Sequence, residues 1–540
     1  MKRFFSALTA LILIFLCASC SESGAGKSFT YPLDNSPATI DPQYASDTAA
    51  RTVITNTFEG LVRLDPEGKI IPGIAESWSV SSDGLVYTFK LREGTEWYCP
   101  AVLKKEYGDE FFKRFSSEKV TANDFVFACQ RAVSLGDGAA RSHRLSVIEN
   151  APEIIAGTKK AEELGVSAPD ANTFVIRLRT PCGDMLERLT ESEFMPCNKD
   201  FFEAMGGRYG LTNKHIMCNG PFYVSAWDPE VSLTVKANKY YAGEQEVKPS
   251  SVTFIFDSDP ESIAKKLSSG DISAALLSPD CPVPDNTETA SEKANSVFGI
   301  LFNCSDKFLS NKNLRLAFCH SVNRNLFAPQ GDSMKPMFGF IPESCSAGNK
   351  PYREAAGGQT PMLNKKENYG NFCWSLALEE LEVSKIGITV LCPEWLESPV
   401  RQQLQVWQKV MGIGLGITVE VRSEAEISEA VSSGNYQIAF GSFEAENDSA
   451  VDFLASFSDG GIFRFDSEEY RLIIERLMQV SSDRDLVNGC YTAENHIIRE
   501  GICLPLYSRS SRFVFAEDTA DIYMPGTNGT VCFINAKRFD

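Results

Sequence analysis

The feature that most constrains the fold is an alternation of apolar and polar residues between positions 78 and 91. Apolar residues take every second position of its second half: Leu85, Tyr87, Phe89 and Leu91. A period of two is typical of a strand with one buried face. Trp78 and Val80 begin the same alternation, and Asp83-Gly84 lies between the two runs. Because Asp-Gly adopts the positive φ angles of tight turns, the segment predicts a β-hairpin.

Helix and strand signals alternate along the rest of the chain. Thr121 and Asp124 have the spacing of a helix cap, and Ser398-Pro399 suits the first turn of a helix that ends before Gly412. A third, amphipathic helix is predicted from apolar residues at helical spacing: Tyr470, Ile473, Ile474, Leu477 and Met478. Strands are predicted at 173–178, 252–256, 388–391 and 417–421. The helix at 398–411 lies between the last two, so the pattern predicts a βαβ unit with parallel strands in an α/β fold.

Composition indicates a globular protein of two or three lobes, with 23% charged and 43% hydrophobic residues over 540 positions. A net charge of -19 argues against a nucleic-acid partner, because there is no basic excess to neutralise phosphates. The four histidines are isolated, and no HExxH, Gly-x-Ser-x-Gly or P-loop motif is present. We therefore expect a protein that is not an enzyme and has no cofactor or metal, with a carboxylate-based glycoside hydrolase as the open alternative.

The N-terminus has the features of an export signal. Lys2 and Arg3 precede an apolar run over 4–16, which predicts a signal peptide at 1–19. Ala18-Ser19-Cys20 resembles a bacterial lipobox, although Cys17 stands where such boxes usually have Leu. The resemblance implies that Cys20 is lipidated, that 20–27 form a tether, and that the protein sits on the outer face of the cell membrane or in the periplasm; plain secretion is the alternative.

The sequence has 16 cysteines, and fourteen follow Cys20. No CxxC motif or Cys/His cluster follows Cys20, and several thiols lie among apolar neighbours, as at Cys129, Cys319 and Cys503. We expect most of the fourteen to be buried free thiols that pack as small hydrophobic side chains, with one or two disulfides left open.

Several blocks, in order along the chain, resemble the family 5 extracellular solute-binding proteins, the oligopeptide- and dipeptide-binding receptors of ATP-driven importers. They include FEGLVRLDPEGKIIPGIAESWSVSSDGLVYTFKLREGTEW at 58–97, VTANDFVFACQRAV at 120–133, CNGPFYVSAW at 218–227, SGDISAAL at 269–276, FNCSDKFLSNKNLRLAFCHSVNR at 302–324, GFIP at 339–342 and LPLY at 504–507.

The resemblance implies a two-lobed, periplasmic-binding-protein-like α/β fold of type II. A discontinuous first lobe would comprise 28–60, 186–295 and 513–540, with an extra subdomain at 61–185, and the second lobe would comprise 296–512. Beyond Trp97 the chain departs from the family pattern with a longer segment at 98–119. Its aromatic residues predict either a small helix packed on the subdomain or a cover over the mouth of the cleft.

The resemblance also implies where a ligand binds. Peptide-binding members hold the ligand's ammonium with an Asp shortly before a Phe-Leu pair, and counting back from Phe453-Leu454 places Glu446 at that position. Phe443, Glu444 and Ala445 precede it, and the alternative is that Glu444, Glu446 and Asp448 form a solvated acidic loop. Ser46, Asp47 and Thr48 would form the opposite strand of the cleft, with mainly backbone contacts.

As partners we expect a peptide ligand, a permease and ATPase on separate chains, and the membrane through the lipid anchor, with the receptor itself a monomer. Oligosaccharide or metal-chelate cargo is the alternative within the same receptor class. A sugar would favour exposed indole platforms, for which the second lobe offers Trp374, Trp395 and Trp407.

Overall fold

A computed structural model describes most of the chain. The described residues are 27–135, 144–277, 281, 283–328, 334–347, 350–360, 368–445, 449–478, 480, 482–525 and 529–539. Cys20 and the segments 1–19 and 20–26 lie outside this part of the chain, as do Glu446 and Asp448.

The described residues form strands and helices in an α/β arrangement. The strands are β1 (Ser28–Leu33), β2 (Val62–Leu64), β3 (Ile70–Pro72), β4 (Ala75–Val80), β5 (Val86–Leu91), β6 (Val166–Asp170), β7 (Thr173–Arg177), β8 (Phe222–Asp228), β9 (Ser232–Ala237), β10 (Ser251–Phe256), β11 (Ala274–Leu277), β12 (Thr287–Phe302), β13 (Met334–Pro336), β14 (Ser346–Ala347), β15 (Lys350–Pro351), β16 (Ile386–Pro393), β17 (Leu415–Arg422), β18 (Ile438–Glu444), β19 (Cys503–Ala516), β20 (Thr519–Ala520) and β21 (Lys537–Arg538). The helices are α1 (Thr48–Thr57), α2 (Val102–Tyr107), α3 (Asp109–Phe115), α4 (Ala122–Ser134), α5 (Ala151–Ile155), α6 (Met185–Arg188), α7 (Lys199–Met205), α8 (Pro260–Ser269), α9 (Lys312–His320), α10 (Tyr352–Ala355), α11 (Tyr369–Glu380), α12 (Glu397–Met411), α13 (Glu424–Ser433), α14 (Ala450–Ala455), α15 (Glu468–Leu477) and α16 (Asp483–Arg499). None of the helices within the described ranges is both long enough and apolar enough to cross a membrane.

We use "first lobe" for 27–295 and 513–539, and "second lobe" for 296–512. The first lobe contains two four-stranded sheets, in the orders β1-β10-β9-β8 and β4-β5-β7-β6, packed around one continuous core. The second lobe has a hydrophobic core on each face of the largest sheet, whose strand order is β11-β19-β12-β18-β16-β17. Where the domain boundaries fall remains a prediction.

The predicted hairpin is confirmed. β4 and β5 pair antiparallel, with Trp78 opposite Phe89 and Val80 opposite Tyr87. The connection is longer than a tight two-residue turn, because the Ser81 N–H bonds the Val86 carbonyl and leaves 82–85 as the loop. Gly84 has a φ of 72°, whereas Asp83 keeps a negative φ and accepts a hydrogen bond from the Leu85 N–H.

Two long strands connect the lobes. β12 has 16 residues and β19 has 14, and the two strands pair with each other antiparallel. Their register shifts between Lys293 and Ser296, which pair with Ser511 and Arg509, so two residues of β12 lie opposite one of β19. An extra residue bends a strand and increases its twist, so the two strands bend near the boundary between the lobes, and two further register shifts lie along the same pair.

The predicted βαβ unit is confirmed in the second lobe. β16 and β17 are parallel and in register from Ile386 opposite Leu415 onward, and α12 connects them. The helix begins at Glu397, one residue before the predicted Ser398-Pro399, and its buried stripe includes Val400, Trp407 and Met411. The other two predicted helices are also confirmed: α4 begins with a capping box between Thr121 and Asp124, and α15 buries Tyr470, Ile474 and Leu477 of its predicted stripe. Ile473 is half-buried, and Met478 lies one residue beyond the helix.

The segment 98–119 forms the helices α2 and α3, which pack on the first lobe. Leu103 and Phe115 are fully buried, and the Phe115 ring meets the Phe201 ring edge-on with centroids 5.3 Å apart. This confirms the packed-helix interpretation over a cover on the cleft.

All fourteen cysteines in the described residues are free thiols, and all but the half-buried Cys304 are buried. Burial raises the pKa of the Cys129 and Cys218 thiols to about 12. The expectation of apolar, free thiols is confirmed.

Candidate functional site

A cavity of about 830 Å³ lies between the lobes, and we call it the interlobe cavity. On the first-lobe side it is lined by one face of α1 and by the segment 183–195. On the second-lobe side, its wall includes Ser449, Val451 and Asp452 at the start of α14, together with Ser346 and Leu486. Its volume is within the usual range for ligand sites in proteins.

A second cavity of about 710 Å³ lies in the second lobe, and we call it the edge cavity. Its walls come from α13, from residues 440–444 of β18, and from α14 with the loop that follows it; Arg144 is its contact with the first lobe. Much of the lining is apolar: Ile427, Val431, Phe453, Phe457 and Ile462. An apolar wall of this kind suits an aliphatic or aromatic side chain.

A buried ion pair separates the two cavities. The Arg188 Nη2 lies 3.3 Å from the Asp452 Oδ1, so the pair joins the first lobe to the second. The side chains are 4% and 9% exposed, and Asp184 makes a second ion pair with Arg188 at 3.1 Å. Behind this pair, Arg144 and Glu193 form another buried ion pair within the first lobe. Because both lobes contribute to it, the Arg188–Asp452 pair can form only when the lobes are closed.

The edge cavity takes its name from a free strand edge. β18 pairs with β12 along its whole length, but its described pairing with β16 is limited to Ile438 and Ala439. The Ala445 N–H donates a hydrogen bond to the Asn295 carbonyl. In an antiparallel ladder, residue pairs that exchange backbone hydrogen bonds alternate with pairs that do not. Ser442 and Glu444 therefore direct their backbone N–H and C=O groups away from β12, toward the side that no described strand covers.

The residues predicted around Glu446 are placed at this edge. Glu446 itself lies outside the described residues. Phe443 and Glu444 end β18 and line the edge cavity, while Ala445 is buried against β12. The Phe443 ring belongs to a buried aromatic cluster in the second lobe, with its centroid 5.0 Å from that of Phe340 and 5.6 Å from that of Phe463.

Glu444 is the charged member of this edge. Desolvation in the cleft raises the pKa of its carboxyl group, Arg509 opposes that increase, and Asp34 at the end of β1 adds to it. The side chain still reaches solvent, so the cleft surrounds this carboxylate without sealing it. Asp34 belongs to the first lobe, so like charges from the two lobes influence each other here.

Ser46, Asp47 and Thr48 do not form the predicted strand. Asp47 is the N-cap of α1, where its carboxylate accepts a hydrogen bond from the Ala50 N–H at 2.7 Å, and Thr48 is the first residue of the helix. Ser46 and Thr48 are exposed, and none of the three residues lines either cavity. A ligand contact at these positions remains a prediction.

The tryptophans considered as sugar platforms are not presented to the cavities. Trp374 and Trp407 are buried in the second-lobe core. Trp395 is half-buried, and its indole N–H bonds the Glu424 carboxylate at 2.7 Å. In the described segments, no three His, Cys, Asp or Glu side chains lie close enough together to hold a metal ion.

Sequence reasoning missed the residues that line the interlobe cavity on the first-lobe side. Arg51, Ile54, Thr55 and Phe58 occupy positions i, i+3, i+4 and i+7 and share one face of α1. That spacing was available from the sequence as a helix signal. Arg188 and Asp452 had no comparable signal, because their contact joins positions 264 residues apart in sequence (452 - 188).

Two lobes, two connecting strands and a cavity between the lobes define a two-lobed solute-binding protein. The chain belongs to the bacterial extracellular solute-binding proteins, family 5: the family model described as "Bacterial extracellular solute-binding proteins, family 5 Middle" matches residues 69–464.

Known proteins of this family resemble the chain along most of its length. It is 23% identical over 566 aligned residues to the oligopeptide-binding protein OppA of Bacillus subtilis, covering 99% of each chain. The substrate-binding domain of an oligopeptide ABC transporter from Bacillus anthracis superposes with a TM-score of 0.75 at 24% identity, covering 96% of this chain and 99% of that one. OppA of Haemophilus influenzae, solved as a complex with RPPGFSPFR, gives a TM-score of 0.76 at 20% identity, covering 95% and 99%.

Proposed function

We propose that the chain captures short peptides between its two lobes and delivers them to an ABC importer. The observation that carries this proposal is the free edge of β18 beside the cleft. An extended peptide bonds such an edge through its own main chain, which gives affinity that does not depend on sequence. Family membership and relatives named for oligopeptide and dipeptide binding support the same cargo.

The backbone groups of Ser442 and Glu444 suit the first residues of such a peptide. Glu446 follows two positions after Glu444 in the sequence, and the family pattern assigns a carboxylate to its position. A peptide ammonium in a cleft needs an opposite charge, since an uncompensated charge removed from water is costly. We therefore assign Glu446 to the ligand's α-ammonium group.

The two cavities provide space for side chains on either side of the bound main chain. They share Asp452, so they adjoin, and each is large enough for more than one residue. The mixed charged and apolar walls favour peptides over oligosaccharides, which are usually held by exposed aromatic platforms. The burial of Trp374 and Trp407 supports this preference.

The remaining assignments follow from the sequence. Cys20 would be the lipidated residue, residues 20–27 the tether, and the outer face of the cell membrane the location. The receptor would act as a monomer that binds and releases cargo without altering it, with its permease and ATPase on separate chains.

Calorimetric titration of the purified protein with peptide and oligosaccharide pools tests the proposal. Ser442→Pro removes the N–H that faces the free edge, whereas Ser442→Ala removes the hydroxyl group and keeps that N–H. We expect Ser442→Pro to weaken peptide binding about tenfold, the effect of a lost backbone hydrogen bond, and Ser442→Ala to bind nearly as the parent does. Binding of oligosaccharides but no peptides would overturn the proposal.

Glu446→Ala tests the ammonium assignment. It should weaken the binding of peptides with a free N-terminus at least about tenfold and leave the binding of their N-acetylated forms unchanged. Acetylation removes the charge that Glu446 would bind. Equal losses for free and acetylated peptides would contradict the assignment.

A further inference from the structure

Helix α1 presents a cation to the interlobe cavity. Arg51 lines the cavity together with Ile54, Thr55 and Phe58, and it is the charged residue on that face of the helix. Its side chain is half-buried, so the guanidinium group is partly removed from water. An arginine in this position has a fixed fork of donors that matches a carboxylate.

The Arg51 guanidinium group lacks a partner within the described structure. Its Nε is buried without a hydrogen-bond acceptor, and no described residue forms an ion pair with it. The other arginines of the same cavity are paired: Arg63 bonds Glu59 and Tyr523, and Arg188 pairs with Asp184 and Asp452. A buried donor without an acceptor is costly, so Arg51 is a cation prepared for an anion that the described residues do not supply.

Glu191 is a charged group that interacts electrostatically with Arg51. It lines the same cavity, and the two side chains interact electrostatically without forming an ion pair. Burial, together with Glu193 and Asp452, raises the pKa of the Glu191 carboxyl group to about 7. At neutral pH this group is partly protonated, which reduces its repulsion of a second carboxylate.

We propose that Arg51 binds a carboxylate of the cargo peptide, which makes the interlobe cavity selective for acidic cargo. This assignment rests on the proposed peptide-binding function. A peptide can supply the group from its C-terminus or from an Asp or Glu side chain, and both present the same two oxygens to the guanidinium fork. Ser449 and Asp452 of the second lobe line the same cavity as Arg51, so a peptide held between the lobes can present a carboxylate to Arg51.

The test compares ligands that differ only in this charge. The peptide that binds most tightly in the screen above is prepared with a C-terminal carboxylate or carboxamide, and with Glu or Gln at each internal position. Each form is titrated into the parent protein, into Arg51→Gln, and into Lys265→Gln as a control. Lys265 is an exposed cation on α8 that lines neither cavity.

We expect Arg51→Gln to weaken the carboxylate form at least about tenfold and to leave the matching amide form unchanged. The peptide series that shows this selectivity identifies the carboxylate that Arg51 binds. If Arg51→Gln does not weaken the C-terminal carboxamide peptides, the carboxylate is the C-terminus. If it does not weaken a peptide with Gln in place of Glu, the carboxylate is that side chain. Lys265→Gln should show no such selectivity.

Equal losses for carboxylate and amide forms, or no loss in either, would overturn the Arg51 assignment while peptide binding still stands. If the parent protein bound no peptide at all, the proposed function would fail first, and this assignment would fail with it. Thermal melting of the unliganded variants shows whether they fold, and the difference between matched ligands is insensitive to a purely structural role.

Discussion

The interlobe cavity and the edge cavity are neighbours of similar size with different walls. The interlobe cavity requires both lobes and carries charged residues such as Arg51 and Glu191. The edge cavity belongs almost entirely to the second lobe and combines apolar side chains with a free strand edge.

This difference suggests an order of events. A ligand can pair with β18 and insert an apolar side chain while the lobes are apart, because those groups come from one lobe. The charged wall of the interlobe cavity and the Arg188–Asp452 pair then form as the lobes meet. Closure by a hinge is the usual way in which such proteins enclose ligands.

The largest effect should come from breaking the ion pair between the cavities. Asp452→Ala leaves Arg188 buried with one partner fewer, and removing one member of a buried pair costs about 3–5 kcal/mol. Because the pair joins the lobes, we expect peptide affinity to fall about 100-fold or more, mainly through faster dissociation. Stopped-flow dissociation and calorimetry measure this loss.

Asp466→Ala is the control for that experiment. Asp466 is 86% exposed and pairs with Arg471 on the surface of the same lobe, so its removal should leave affinity unchanged. An Asp452→Ala variant that dissociates no faster than Asp466→Ala would mean that the buried pair does not hold the lobes closed.

A smaller effect should come from filling the edge cavity. Ser428 is exposed on α13 and lines that cavity, so Ser428→Trp occupies the space without disturbing the core. Peptides with Leu or Phe side chains should lose about tenfold in affinity, and Ala-containing peptides should lose little, because less apolar area is displaced. Glu429→Trp, one residue along the helix and outside the cavity lining, should leave both affinities unchanged.

The ratio of the Leu or Phe peptide affinity to the Ala peptide affinity, measured by calorimetry, is the deciding quantity. If Ser428→Trp left this ratio at its parent value, the edge cavity would have no part in choosing apolar side chains.

The smallest effect concerns pH and the interlobe cavity. The pKa of Glu191 rises from its ordinary value of 4.5 to about 7 in the folded protein, so the folded state holds this proton more tightly than the unfolded state. Stability therefore falls as pH rises between about 4.5 and 7. Glu191→Gln cannot ionise, so it removes this loss of stability. We expect the Tm of the variant to exceed the parent Tm by about 2 °C at pH 8 and to equal the parent Tm at pH 4.

Thermal melts of Glu191→Gln and of Glu67→Gln across this pH range provide the measurement. Glu67 lines the same cavity but is exposed, so its replacement should leave the pH profile unchanged. A Tm difference for Glu191→Gln that is the same at pH 4 and pH 8 would contradict the prediction.

Features with local signals were predictable from the sequence. The hairpin around Trp78 and Phe89, the capping box at Thr121 and the parallel βαβ unit each depend on neighbouring residues, and each is present. The error at 46–48 was also local: Asp47 before Thr48 and two alanines is a helix-start signal, but the segment was interpreted as a strand.

The candidate site was predictable only where the family pattern named residues. Phe443 and Glu444 were placed beside the cleft by that pattern. Arg51 was not, because a helical period shows which residues share a face and not what that face meets. What it meets depends on second-lobe residues such as Ser346 and Ser449, which are about 300 and about 400 positions away in sequence.

The fourteen free thiols in the described residues, thirteen of them buried, allow opening of the folded chain to be followed by chemical labelling. A thiol alkylates through its thiolate, so burial and a raised pKa, as at Cys129 and Cys218, protect the folded chain. When opening exposes a segment to an alkylating reagent, each exposed cysteine gains the mass of one label. The labelled cysteines then identify the segment that opened. Cysteines introduced at exposed sites on the two lobes would be alkylated faster than the native buried cysteines. Lobe separation could thus be followed by spectroscopic labels without removing any native cysteine.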